Sequence, residues 1–420
     1  MLHHLLSRSI ACVAAGIVAT AVACGPATAA DPIRIGFGIS LTGPLAANGK
    51  SALMAMKIWE EDINAKGGLL GRPVKLVYYD DQSNPSTVPG IYTKILDIDK
   101  VDLIMGGYAT NMLAPAMPIA IQRKRLLIGL FGTAVNSEFN YPRYFAMIPL
   151  GPEAKPALTK GFFDVAMAQN PKPETIAIVG ANAEASHNNS EGVRENAKAV
   201  GLKIVYDQTY PPTTTDFAPI VRAIRATNPD LVVICSYPLD SVGMVRAVNE
   251  VGFKPKMIGG CMVGPQTTVL KAQLGSLLNG FVNYDFWLPV KAMQTPDMSN
   301  FLKRYQARAQ AEGVDPLGYY APPFAYAYLQ VLGQAVDATK SLDDDKLADY
   351  IRSATFTTVV GDVKFGRGGE WAQPRVLQVQ YQNITGNSVD QFKDMSAQVI
   401  VAPAEYRSGN VIYPYADAKK

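Results

Sequence analysis

From Ile33 onward, short runs of β-branched and aliphatic residues alternate with longer amphipathic stretches, and the alternation occurs as two successive series. Strands interleaved with helices in this way form βα units around a parallel sheet. In the first series, strands are expected near 33–39, 74–79, 103–105 and 126–128, with helices near 49–66, 87–99 and 111–123. In the second, strands are expected near 176–179, 203–208, 231–234 and 257–258, with helices near 190–200, 217–227 and 241–251. A Pro-rich stretch at 149–156 separates the two. After a further strand at 281–284, Trp287-Leu288-Pro289 breaks the period, and helices near 298–311 and 318–336 follow. Strands near 359–365 and 376–381 close the pattern.

This pattern predicts an α/β chain of two lobes, each a parallel-sheet α/β sandwich, joined by three hinge crossovers. The expected N-terminal lobe is 31–150 plus 286–356, and the C-terminal lobe is 151–285 plus 357–396. The tail 397–420 is expected to be an irregular surface cover.

Residues 1–30 read as an export signal. Arg8 supplies the positive start, and the apolar run from Ile10 to Ala23 is shorter than the roughly 20 residues needed to span a bilayer. Small residues at 27–30 suit cleavage near Ala30, and Ala21-Val22-Ala23-Cys24 lacks the usual Leu of a lipoprotein site. Removing this segment takes one Arg and no acid, so the net charge changes from 39 − 36 = +3 to 38 − 36 = +2. A nearly neutral chain is a poor partner for nucleic acid. The remaining residues exceed what one hydrophobic core usually serves.

Of the three His and four Cys, only His187, Cys235 and Cys261 lie beyond the signal. That leaves too few ligands for an ordinary zinc site and no base for a Ser or Cys nucleophile, so no metal, cofactor or catalysis is expected. Cys235 and Cys261 are compatible with either a disulfide or two free thiols.

Several motifs occur in register: Ile35-Gly-Phe-Gly-Ile-Ser-Leu-Thr-Gly-Pro44, Asp62-Ile-Asn-Ala-Lys-Gly-Gly-Leu-Leu-Gly-Arg-Pro73, Asp80-Asp81, Thr213-Thr-Thr-Asp-Phe217 and Asn228-Pro-Asp230. Gly67-Gly68 can cap a helix and Gly71-Arg72-Pro73 can turn the chain into the next strand. The Gly36/Gly38 pair lacks the third glycine of a dinucleotide loop. Through these motifs the chain resembles the Leu/Ile/Val-binding type of periplasmic binding protein over nearly its whole length beyond the signal.

The resemblance implies a periplasmic, monomeric solute-binding component of an ABC importer. Its partners would be a small organic carboxylate and an inner-membrane permease. It also implies a cleft between the lobes. Thr110, in the segment Gly106 to Asn111 that includes Tyr108, matches a serine that holds the ligand carboxylate, although Thr110-Asn111 reads equally as an ordinary helix N-cap. Gly132 and Thr133 fall in a second carboxylate-gripping segment. There Phe131 replaces a small residue, either facing the ligand or pointing into the core. Asn48, Asn189 and Tyr237 fall at other ligand-facing positions, and His187 lies at the cleft or its rim. Tyr319 and Tyr320 belong to a buried helix with a possible role at the rim.

Three departures from the family pattern bear on the ligand. Cys261 stands where amino-acid binders place a glutamate against the ligand ammonium, and an unpartnered buried ammonium costs several kcal/mol. The two halves of a family disulfide read Ser83 and Ala109. An aromatic position reads Asn48. The first disfavours an amino acid and the other two are consistent with it or neutral; with Thr110 and Thr133 for a carboxylate and Phe131, Tyr108 and Tyr237 beside them, the expected ligand is an aromatic or other hydrophobic monocarboxylate. An amino-acid or amide binder, and a sensing input for a signalling partner, are the alternative readings.

Overall fold

A computed structural model describes residues 31–420; the expected export signal and its cleavage site lie outside the described residues. The first series forms strands β1 (Ile33–Ile39), β2 (Val74–Asp80), β3 (Leu103–Ile104), β4 (Leu127–Gly129) and β5 (Tyr144–Ala146). Parallel pairing joins β2, β1 and β3, and likewise β4 and β5. The two groups meet where the Gly106 N–H donates to Ile128 O at 2.8 Å, so the spatial order is β2-β1-β3-β4-β5. Between these strands run α1 (Ala46–Ala65), α2 (Val88–Asp97), α3 (Thr110–Leu113), α4 (Met117–Gln122) and α5 (Asn136–Phe139).

Gly49 fits α1 tightly against the end of β1, because a Cβ there would stand 1.9 Å from Ser40 O. The helix stops as the motif predicts. Gly68, at φ +77°, turns its N–H back to Ile63 O at 2.9 Å. The single helix expected over 111–123 is instead α3, a 3₁₀ turn at Ala114–Ala116, and α4. Pro115 and Pro118 each remove a backbone donor there, which interrupts the regular α ladder.

The second series contains α6 (Ala154–Met167), β6 (Thr175–Ala181), α7 (Glu184–Ala199), β7 (Lys203–Tyr210), α8 (Ala218–Ala226), β8 (Leu231–Ser236), α9 (Pro238–Val251), β9 (Met257–Met262), α10 (Thr268–Leu274) and β10 (Val282–Asp285). Its parallel order, β7-β6-β8-β9-β10, repeats that of the first sheet. Two elements depart from expectation. Helix α6 begins inside the Pro-rich punctuation, because a proline in the first turn, here Pro156, gives up an N–H that has no helical partner. Helix α7 begins at Glu184 rather than near Ser190, so the stretch expected as a loop, Ala185 to Ser190, is helical.

Helices α11 (Pro296–Glu312), α12 (Ala321–Thr339) and α13 (Asp344–Ser353) return to the first sheet's side, with α12 packed along α1. Next comes a hairpin of β11 (Thr355–Thr358) and β12 (Gly361–Lys364). It does not rejoin the second sheet as expected. Phe365 packs on Phe145 with ring centroids 5.2 Å apart, and Gly369 O accepts from the Ala146 N–H of β5 at 2.8 Å. Aromatic burial and this backbone bond therefore hold 355–371 to the first lobe, so the expected start of the second lobe's final segment at 357 is too early.

The chain crosses back only before β13 (Leu377–Tyr381), which pairs antiparallel with β10. The tail corrects the sequence reading too. Residues 398–402 form β14 (Gln398–Ala402), an antiparallel edge strand on β13, where an irregular cover was expected. Gln398 and Ile400 are wholly buried, which is why the segment lacks the alternation of a half-exposed strand. Among the described residues no helix is long and apolar enough to cross a membrane.

Candidate functional site

Ligands of open α/β sheets lie beyond the carboxyl ends of strands, where the strand order reverses. In the first sheet that point is between β1 and β3. The Asp80-Asp81 motif shapes the loop there. Asp81 accepts from the Ser40 hydroxyl at 2.6 Å, and Asp80 accepts from the Leu41 N–H at 2.9 Å and from the Thr42 hydroxyl at 2.7 Å. The loop carries Leu45 to a cavity between the lobes that encloses about 460 Å³, part of it open to solvent.

Six sequence-predicted residues line this cavity: Tyr108, Thr110, Phe131, Thr133, Asn189 and Tyr237. Thr110 opens α3, and its Oγ1 accepts the Thr133 N–H at 3.0 Å. With its oxygen so engaged, the Thr110 hydroxyl proton is free to be donated. Tyr108 keeps its proton, because burial pushes its hydroxyl up to about 12. Phe131 is both core and cavity wall. Its ring packs among Phe286, Tyr320 and Phe324 at centroid distances of 5.3, 5.0 and 5.1 Å and also forms cavity wall. The Oδ1 of Asn189 is buried with no hydrogen-bond partner among the described residues.

The other four candidates stand behind this lining. Asn48 donates through Nδ2 to the Tyr108 hydroxyl at 2.7 Å, and its Oδ1 accepts from the Thr267 hydroxyl at 3.1 Å. Asn111 Oδ1 accepts from the Tyr237 hydroxyl at 2.8 Å and from the Ala185 N–H at 3.2 Å. Gly132 allows close packing, since a Cβ would fall 2.6 Å from both Leu113 Cδ1 and Val135 Cγ2. Cys261 sits on β9 in register with Cys235 of β8; both are free, buried thiols, which settles the disulfide alternative, and burial pushes the Cys261 thiol up.

His187 lies exposed at the rim, its Nε2 2.9 Å from Asn182 Oδ1. The Ser83 hydroxyl donates to Thr42 O at 2.7 Å and accepts from the Leu45 N–H at 3.0 Å, tying the loop that the family disulfide would hold.

Sequence reasoning missed Leu45, Ile148, Leu158, Val263 and Tyr284 as lining, and had placed Tyr320 no closer than the rim. The hydroxyls of Tyr284 and Tyr320 lie 3.2 Å apart. The position of Tyr284 at a strand's carboxyl end was the available signal. Leu158 had none, since it sits on the unanticipated α6. No Asp, Glu, Lys or Arg lines the cavity, and among the described residues no cluster of potential metal ligands occurs.

Bonds between the lobes surround the cavity. Besides Asn111–Tyr237 and Asn48–Thr267, Asn188 Nδ2 donates to Thr133 O at 3.0 Å, and the Thr268 hydroxyl donates to Asp315 Oδ1 at 3.0 Å.

A family model described as periplasmic binding protein matches residues 32–383. The leucine-, isoleucine-, valine-, threonine- and alanine-binding protein of Pseudomonas aeruginosa is 25% identical over 347 residues, covering 81% of this chain and 88% of that protein. Among solved structures, a leucine-binding protein from Thermotoga maritima superposes with a TM-score of 0.73 at 20% identity, over 85% of this chain and 96% of its own. A solute-binding protein of an ABC transporter from Rhodopseudomonas palustris, in complex with p-hydroxybenzoic acid, gives 0.72 at 20% identity, over 85% and 94%. At these identities the structures establish a shared fold. By the span of its family match the chain belongs to the periplasmic binding protein family, and the curated proteins it is similar to include Leu/Ile/Val-binding proteins.

Proposed function

We propose that this protein captures a small aromatic or otherwise hydrophobic monocarboxylate between its lobes and delivers it, lobes closed, to an inner-membrane ABC permease. The observation that carries this reading is the Thr110–Thr133 pair set beside an aromatic wall in a cavity lined by no charged side chain. The two threonines offer a hydroxyl donor for a carboxylate. Phe131, Tyr108, Tyr237 and Tyr320 supply flat apolar surface for a ring or chain. An α-amino acid would bring an ammonium for which the lining has no carboxylate, and desolvating it unpaired is costly.

Closure proceeds by rotation about the three crossings near 147–153, 286–295 and 372–376. The ligand first meets the first-lobe threonines and then recruits Asn189 and Tyr237 from the second, so binding favours the closed form. Leader removal near Ala30 and action as a periplasmic monomer belong to the same proposal. A thermal-shift series with benzoate, hydroxybenzoates, octanoate, leucine and alanine tests the ligand class, since a ligand of the native state raises the unfolding midpoint with saturation. Stabilisation by carboxylates lacking an amine is expected. Stabilisation by the amino acids alone would overturn the reading.

A further inference from the structure

The turn of α7 from Ser186 to Ser190 is polar, and with one exception its side chains are partnered. The Ser186 hydroxyl donates to Cys235 O at 2.8 Å, His187 Nε2 lies 2.9 Å from Asn182 Oδ1, and Asn188 Nδ2 donates to Thr133 O at 3.0 Å. The Ser190 hydroxyl bonds with the Cys235 thiol. Asn189 is the exception. It lines the threonine-bearing cavity and is only 9% exposed, yet its Oδ1 is buried with no hydrogen-bond partner among the described residues. Of the unpartnered buried side-chain atoms among those residues, this oxygen alone belongs to a lining residue of the cavity. The Tyr237 hydroxyl, a second-lobe donor in the same lining, is committed to Asn111 Oδ1.

A carbonyl oxygen closed into a dry wall without a partner keeps its full desolvation cost until something donates to it. The first lobe thus offers the ligand a donor in the Thr110 hydroxyl, and the second lobe offers an acceptor in Asn189. A bare hydrocarbon acid uses the first and leaves the second unpaired. An ammonium could donate to the amide oxygen, but its charge would stay uncompensated in a cavity lined by no Asp or Glu. A hydroxyl donates without bringing a charge.

We propose that Asn189 is a specificity-determining residue and that the ligand is a hydroxy-substituted carboxylate whose hydroxyl donates to Asn189 Oδ1. This rests on the carboxylate reading of the cavity and narrows it: the first lobe anchors the acid, and the second lobe selects among acids by their hydroxyl. Because Asn189 belongs to the second lobe, the bond forms as the lobes close and favours the closed form.

The test is calorimetric titration of the purified protein at pH 7 with two sets of acids: benzoate against m- and p-hydroxybenzoate, and phenylacetate against mandelate. Within a set the acids differ by one hydroxyl, on the ring in the first and beside the carboxylate in the second. In at least one set a hydroxylated acid should bind about tenfold more tightly than the bare acid. Asn189→Leu, close in shape and confirmed as folded by its cooperative thermal unfolding, should close that gap and leave affinity for the bare acid unchanged or raised. Asn189→Ala removes the same oxygen from a smaller side chain and should close the gap too. General damage to the fold would weaken both members of a set alike, so the ratio within a set reports recognition. Absence of a gap in both sets with the unaltered protein, a comparison that needs no variant, would overturn the proposal while leaving the carboxylate reading intact. A gap that survives in the variants would overturn the role of Asn189. Binding of none of these acids would overturn the carboxylate reading and this proposal together.

Discussion

The Tyr237 hydroxyl donates to Asn111 Oδ1 across the cleft at 2.8 Å, joining a residue at the start of a second-lobe helix to one at the start of a first-lobe helix. The same Asn111 oxygen accepts the Ala185 N–H, so one amide ties α3 to two second-lobe helices. Both bonds run from one lobe to the other, so separating the lobes would break them.

Tyr237→Phe should therefore destabilise the closed form and leave each lobe intact. A bond of this kind contributes about 0.5–1.5 kcal/mol, so ligand affinity should fall roughly two- to tenfold with thermal stability of the free protein unchanged. Calorimetric titration with the best ligand of the thermal-shift series measures it. Unchanged affinity would show that the latch does not contribute to closure.

Thr110 and Thr133 act as a pair, since the Thr133 N–H is satisfied by the Thr110 hydroxyl oxygen. Thr110→Val keeps the side-chain volume while removing both the donor to the ligand and the acceptor for Thr133. Carboxylate affinity should drop by about 1–3 kcal/mol. Thr133→Ala, which keeps that N–H bond, should lose less. An equal loss in the two variants would argue against the pairing.

Phe131 is held by four aromatic neighbours, Tyr108, Phe286, Tyr320 and Phe324. Phe131→Ala should cost about 3–5 kcal/mol of stability, read as a lower denaturation midpoint in guanidinium, because it removes buried area and leaves a cavity. Phe131→Leu should recover much of that stability and still bind aromatic acids less well than the unaltered protein.

Glu370 makes stability depend on pH. Burial raises its carboxyl from 4.5 to about 8 in the folded protein, so between those values the native state binds more protons than the unfolded chain. Stability then falls as pH rises; this contribution is fully present below about 4.5 and is lost as pH climbs through about 8. Glu370→Gln should flatten this slope and be more stable than the unaltered protein above pH 8, measured as unfolding midpoints across pH. A variant less stable at every pH would contradict the buried-acid account.

Apart from β5, which the sequence reading did not expect, the strands of both series were legible because their signal is local: β6 and β8 are continuous apolar runs, as strands covered on both faces must be. The motif roles were legible too. Gly68 caps α1, and Asp80-Asp81 ties down the loop ahead of it. Where local signals conflict, the sequence reading failed. Pro115 and Pro118 broke one expected helix, and Pro156 hid the start of another. The polar run Ala185 to Ser190 reads as a loop yet is helical, because Ser186, Asn189 and Ser190 are buried against the sheet and the Ser186 hydroxyl donates to Cys235 O at 2.8 Å.

By itself the sequence determined the βα alternation, the two-lobed fold and the residue types offered to the cleft, since hydrophobic period, turn glycines and motif register are properties of neighbouring residues. Only the tertiary structure decided which of those residues share one cavity, that 355–371 belongs with the first lobe, and that 398–402 closes the second sheet. Those outcomes rest on contacts between distant segments. Asn111 and Tyr237 are 126 positions apart and Asn48 and Thr267 are 219 apart, and no local pattern encodes the packing that brings such pairs within hydrogen-bonding distance.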